Sequence, residues 1–256
     1  MKIICGLKQV PARDSLLRPD ASGRWIDGSG LSYEINEADA YALEAALQLK
    51  EKHGGEVIVV CAGPERASQS IREALAKGAD RAIHIEAEDA ASWDSLATAH
   101  MIAKAIGGEK PDLIFTGLQS DDLGYGQTGV VLAELLGLPH ATIIMEVEVL
   151  DGSIRVKREL EDGWFQHIEM PLPAVLTIQS GISKLRYATL MGIKKARTKE
   201  VRRLAAGDLG EPSAPSVQIA RVYLPQKTKQ TEILDGTPHE AAAKLVERLK
   251  FGARVL

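Results

Sequence analysis

The sequence predicts an α/β fold built on a doubly wound, mostly parallel sheet, and three observations carry this. Residues 2–7 (KIICGL), 57–62 (VIVVCA), 82–85 (AIHI), 112–116 (DLIFT) and 174–178 (AVLTI) are short, rich in β-branched residues and nearly continuously apolar. That is the pattern of strands covered on both faces. Helical periods separate the first four, which implies right-handed crossovers and a parallel sheet. Past residue 140 the pattern becomes alternating, so an antiparallel extension joins the sheet.

Taken in order, residues 37–52 place Ala38, Tyr41, Ala42, Ala45 and Leu49 at three- and four-residue spacing. Ala67, Ile71, Ala74 and Leu75 do the same in 65–77, and Leu96, Ala99, Ile102, Ala103 and Ile106 in 94–106. The alternating runs 143–150, 153–160 and 164–170 are joined by Asp151-Gly152 and Asp162-Gly163, the residue pair that tight hairpins favour. From 184 to 203 the chain is basic, and 207–216 contains Gly, Pro and Ser; neither has a strong core pattern. Thr237-Pro238-His239-Glu240 reads as a capped helix start leading into EAAAKLVERLK, so the chain is expected to end in an arm and helix that dock on something else.

At 256 residues with 45% apolar content, a sizeable core can be buried. Lys+Arg 31 against Asp+Glu 35 gives a net charge of -4, which excludes a general polycation for nucleic acid. Cys5 and Cys61 each fall within an apolar strand, as reduced, packed thiols of a cytoplasmic protein do. The N-terminus lacks a signal-peptide pattern and no run approaches 18 apolar residues, so a membrane protein is not expected.

In an open parallel sheet, ligands bind beyond the carboxyl ends of the strands, where strand order reverses. The segments reaching that edge are 5–8, 61–64 and 116–119. The last continues through Asp122, Gly124, Gly126, Gln127, Thr128 and Gly129 into a helix whose first amides are unpaired. This can be a phosphate site or simply a loop with a capped helix. There is no GxGxxG after the first strand, no Walker GxxxxGK[ST] and no SGGxDS loop, which disfavours a standard dehydrogenase, a P-loop ATPase and an ATP pyrophosphatase. The six histidines are scattered without ligand spacing and read as structural or solvated; Asp121-Asp122 reads as a loop or ribose contact before a metal pair.

Residues 155–198, which include RVKRELEDGWFQHIEMPLPAVLTIQSGISKLRYATLMGIKKAR, resemble the signature region of electron transfer flavoprotein β subunits. There a hairpin ending in an LPAV(L/V)T strand is followed by RY, a leucine and a basic run. KQVP, EINEADAYALEAALQLKE, CAGP, IREALAKGADRAIHI, GLQSDD…QTG and EAAAKLVERLK extend the likeness over nearly the whole chain. The resemblance implies a Rossmann-like, adenine-nucleotide-hydrolase-like fold and a heterodimer with an α subunit that holds most of the FAD. A structural AMP would lie in β.

Carried residue by residue, the nucleotide contacts fall on Gly6, Asn36, Asp39, Ala62, Gly117, Gln119, Asp122, Gly126, Gln127 and Thr128. The partner-docking loop falls on Tyr187, Leu190, Met191, Ile193, Lys194, Lys195 and Arg197, with Leu190 as the anchor. Such a subunit carries electrons from a flavin-containing, acyl-CoA-type dehydrogenase toward a membrane quinone oxidoreductase and the respiratory chain, and catalyses nothing itself. The expected organisation is a nucleotide-binding domain over 1–183, a recognition loop and basic segment over 184–203, and an α-docking arm over 204–256.

Two departures stand out. The family's NEPRY reads Ser183-Lys184-Leu185-Arg186-Tyr187, and Met191 stands where proline is usual, which loosens the loop. Residues 122–126 replace the acidic run of simple members, and the DGDTAQVGP pattern of electron-bifurcating members is absent. An NADH-oxidising, bifurcating β subunit with FAD in the β site stays open, as does a lone adenylate-binding module of the universal-stress type.

Overall fold

The computed structural model of the chain describes residues 1–210, 213–226 and 231–256. Residues 211–212 of the Gly-, Pro- and Ser-containing segment and 227–230 of the expected C-terminal arm lie outside the described residues.

Strand β1 (Lys2–Leu7) is followed by a small antiparallel pair, β2 (Gln9–Pro11) and β3 (Tyr33–Ile35), with an excursion of residues 12–32 between them. Helix α1 (Glu37–His53), β4 (Glu56–Gly63), α2 (Ser68–Lys77), β5 (Arg81–Glu86), α3 (Ser95–Ile106) and β6 (Leu113–Gly117) then alternate as the periodicities predict. Helix α4 (Thr128–Leu136) leads to β7 (His140–Val149), β8 (Ser153–Glu159), β9 (Phe165–Pro171) and β10 (Ala174–Ile178). Helix α5 (Leu190–Ala196), β11 (Val201–Ala205) and α6 (Pro238–Glu247) complete the chain.

One nine-stranded sheet runs in the order β11-β5-β4-β1-β6-β10-β7-β8-β9. It is parallel from β11 to β7, and only β8 and β9 add antiparallel. From β1 the chain winds outward through β4 and β5, then returns to place β6 on the other side of β1. The order therefore reverses between β1 and β6, which is where an open sheet of this kind leaves a crevice.

Period-two alternation divides the core between the two faces of the sheet. Ile3, Cys5 and Leu7 pack with Leu43, Leu47, Ile71 and Leu75 of α1 and α2, whereas Ile4 packs with Met101, Ile102 and Leu132 of α3 and α4. Phe115 is fully buried in β6; truncating such a side chain to alanine costs on the order of 3–5 kcal/mol. Both hairpins turn where their Asp-Gly pairs stand, with Gly152 at φ 72 and Asp162 and Gly163 at φ 55 and 77. Cys5 and Cys61 are buried free thiols; burial, with Asp39 nearby, raises both, Cys61 to about 12. Their packing is that of small hydrophobes.

The basic segment 184–203, weak in core pattern by sequence, is more ordered than that reading suggests. It supplies α5 and most of β11, which pairs with β5 from Val201↔Ala82 to Ala205↔Glu86 and so crosses the boundary expected at 203. An edge strand half in solvent can carry charges, and Arg202 and Arg203 discourage pairing with another chain. Those charges are what masked it. Thr189 caps α5 by accepting from the Gly192 amide, and Gly192 lets α5 lie directly on the Ala76 carbonyl of α2.

The capped start expected for α6 is there, with Pro238 in the first turn, and Thr237 and Glu240 complete it as a capping box. Helix α6 buries no residue; its Leu245 is exposed, and so are Phe251, Val255 and Leu256 beyond it. Upstream, the arm is held at two points: the Ser216 and Val217 amides donate to Asp94 Oδ2 at 2.6 and 3.2 Å, and the Val222 amide donates to the Gly23 carbonyl at 2.7 Å. Among the described residues no helix is long and apolar enough to cross a membrane.

Candidate nucleotide-binding site

A cleft of about 450 Å³ opens at the carboxyl ends of β1, β4 and β6, over the reversal in strand order. All ten residues carried over by resemblance line it: Gly6, Asn36, Asp39, Ala62, Gly117, Gln119, Asp122, Gly126, Gln127 and Thr128. They come from four separate stretches of chain, so only the sheet order brings them together.

Several of them hold loops in place. Asn36 donates through Nδ2 to the Gln119 carbonyl at 2.9 Å and accepts from the Asp121 amide at 2.8 Å. Asp39, buried in the first turn of α1, accepts from the amides of Lys8 and Gly117, both at 2.8 Å, and so ties the end of β1 to the end of β6. Burial pushes the Asp39 carboxyl up to about 7, and those two amides hold it from rising further. Asp122 Oδ1 accepts from Lys8 Nζ at 2.6 Å in an ion pair. Gly117 must be glycine here: a Cβ would stand 2.5 Å from Asp39 Oδ1 and 2.7 Å from the Ala38 carbonyl carbon.

The chemistry offered to a ligand comes from elsewhere. Gln127 precedes α4 without a side-chain cap, and with Thr128 and Gly129 it lines the cleft, so the start of α4, whose first amides have no partner inside the helix, borders it. Unpaired amides and the helix dipole together favour an anion such as phosphate. Three buried polar atoms of cleft residues, Gln9 Oε1, Trp93 Nε1 and Thr116 Oγ1, have no hydrogen-bond partner among the described residues. An orphaned buried donor or acceptor costs about 1–3 kcal/mol, so these atoms are suited to a polar ligand. The residues present fit a nucleotide: a glycine-lined approach, free helix amides and unspent hydrogen-bonding groups.

Sequence reasoning missed much of the wall. Trp25 and Ile26 from the 12–32 excursion, Tyr33, Arg66 and Trp93 line the cleft, with the Arg66 guanidinium 4.2 Å from the Tyr33 ring centre. No local motif marks them. Trp25 and Trp93, rare residues in a chain only 4% aromatic, were the available signal.

The seven residues expected to dock a partner lie within the basic segment 184–203, and every one is exposed. Tyr187 is 91% and Leu190 88% exposed, with Met191 and Ile193 beside them and Lys194, Lys195 and Arg197 around the rim. Leucine that exposed on a capped helix is not a core residue displaced by chance.

An open, mostly parallel α/β sheet with a ligand-sized cleft at its switch point, a two-stranded antiparallel extension and an exposed apolar and basic loop defines a Rossmann-like α/β protein. Residues 25–209 match the electron transfer flavoprotein domain. The chain is 38% identical to an electron transfer flavoprotein subunit beta of Methylophilus methylotrophus, over 96% of this chain and 97% of the relative. It is 38% identical to the one of Syntrophomonas wolfei, over 100% and 98%, and 36% identical to the one of Mus musculus, over 93% and 92%. The chain belongs to the electron transfer flavoprotein β-subunit family and is a component of an electron-carrying flavoprotein.

Proposed function

We propose that this chain is the β half of a heterodimeric, cytoplasmic electron transfer flavoprotein of the simple carrier type. It takes electrons from a flavin-containing, acyl-CoA-type dehydrogenase and delivers them toward a membrane quinone oxidoreductase. FAD, held mainly by the α subunit, supplies the redox chemistry when bound. The chain itself positions and docks, and needs no acid, base or nucleophile.

The observation that carries this reading is the convergence of all ten predicted contacts on one cleft whose helix α4 offers free amides. In it AMP would place its phosphate at Gln127 and Thr128, with Gly6, Ala62, Gly117 and Gly126 allowing close backbone approach and Gln119 on the wall. Asn36, Asp39 and Asp122 act as positioning residues, because their polar atoms already hold the surrounding loops. Residues 1–183 form the nucleotide unit. Within 184–203, Leu190 is the anchor and Lys194, Lys195 and Arg197 the basic rim, suited to brief, salt-sensitive docking. The arm from 204 onward, with its uncovered apolar residues, docks on the α subunit.

The test is to co-express this chain with an α-type chain, purify the complex, denature it and identify the released nucleotides. One FAD and one AMP per heterodimer is the expected result. Two FAD would replace this reading with a bifurcating one, and failure to form any complex would overturn both.

A further inference from the structure

Outside the cleft, one cluster of side chains has no part in the function above. Glu65 lies in the single turn after β4, and His84 and Glu86, two residues apart on β5, share a face of the sheet. One ligand atom from each lies within 4.8 Å of the other two. His84 is fully buried, with Nε2 3.1 Å from the Gly63 carbonyl. A carbonyl can only accept, so Nε2 carries the hydrogen and Nδ1 of the neutral ring carries the lone pair. Among the described residues that Nδ1 has no hydrogen-bond partner, and it faces Glu86 Oε1 at 4.0 Å. The lone pair of the imidazole thus faces a carboxylate oxygen.

Arg203, opposite His84 on β11, bonds Glu65 through Nη1 at 2.5 Å and Glu86 at 2.7 Å. It answers the carboxylates and leaves the imidazole lone pair unanswered. One guanidinium against two carboxylates also leaves a net negative charge, and Glu88, whose Oε1 accepts from the Glu65 amide at 3.5 Å, adds to it.

We propose that His84 Nδ1, Glu65 and Glu86 form a site for one divalent transition-metal ion of the zinc class, with Arg203 as its built-in competitor. One imidazole nitrogen and two carboxylates are a zinc donor set, and water completes a tetrahedral shell. The hydrogen bond from Nε2 to a backbone carbonyl is the outer contact that fixes the tautomer of a metal-bound histidine. Magnesium and calcium prefer all-oxygen shells and gain nothing from the imidazole. Arg203 is 46% exposed and can swing into solvent when the metal arrives. A bound ion would join the turn after β4 to β5, and through the Gly63 carbonyl would stiffen one wall of the nucleotide cleft.

The test is zinc binding to the full-length chain by equilibrium dialysis, with the visible absorption of bound cobalt(II) reporting nitrogen ligation. Wild type binds one ion. Glu65→Gln and Glu86→Gln each weaken binding at least about tenfold, and Arg203→Ala strengthens it by about as much. No zinc on the wild-type chain, or affinity unchanged in Glu86→Gln, overturns the site. His84→Gln is a harsher probe that can cost folding; exposed Glu65 keeps the test decisive.

Discussion

The Arg186 guanidinium grips Glu44 through two parallel hydrogen bonds, Nε to Oε2 at 2.8 Å and Nη2 to Oε1 at 3.0 Å, across 142 residues of sequence. Its third nitrogen reaches Glu51 at 2.6 Å on the same helix α1. The residue before exposed Tyr187 is thus fastened to the main domain, so the docking loop projects from a fixed root. Glu44 is buried and would lose its only charged partner among the described residues in Arg186→Ala, keeping the Gln48 hydrogen bond, at a cost of about 3 kcal/mol. Urea unfolding checks this; a loss under about 1 kcal/mol would contradict it.

The same pair sets an acid limb of stability. Burial alone would raise the Glu44 carboxyl, but hydrogen bonds from Arg186 and Gln48 outweigh it and hold the group below its ordinary value. Its contribution is therefore present above the ordinary carboxylate range and is lost as pH falls through the lowered native value. Stability measured against pH should lose this limb in Arg186→Ala.

Asp39 works in the opposite sense. Its native value, about 7, stands above the ordinary 3.8, so the folded chain holds a proton that the unfolded chain releases. The stabilisation it gives is complete below the ordinary value and disappears as pH rises toward 7, by up to about 1.4 kcal/mol per pH unit. Carbon-13 NMR of the Asp39 carboxyl should show a midpoint near 7 in the nucleotide-free chain. A midpoint in the usual carboxylate range would contradict it.

Thr128→Glu separates phosphate binding from folding. A carboxylate at the start of α4 favours the helix by about 0.3–1 kcal/mol yet repels a bound phosphate. Nucleotide content of the purified complex should fall severely while the melting temperature of the nucleotide-free chain stays level or rises. Full nucleotide retention would remove the phosphate assignment from α4.

Leu190→Ala should leave stability within about 0.5 kcal/mol, because the side chain is 88% exposed. Stopped-flow reduction by an acyl-CoA-type dehydrogenase should slow several-fold, with flavin content unchanged. An unaltered rate would remove Leu190 as the anchor.

Local sequence determined the elements and the family of this protein. Buried parallel strands are continuously apolar, helices repeat at 3.6 and Asp-Gly pairs turn hairpins, so each could be read within a window of a dozen residues. Resemblance located ten cleft residues. Tertiary structure decided what those windows do not contain: that β6 lies beside β1 and opens the cleft between them, that Trp25 and Trp93 form part of its wall, and that Glu44 receives Arg186. It also decided that β11 pairs with β5 and brings Arg203 to His84. Strand order and long-range charge pairing are selected by the packing of the whole sheet, and an edge strand rich in arginine carries too little apolar pattern to declare itself beforehand.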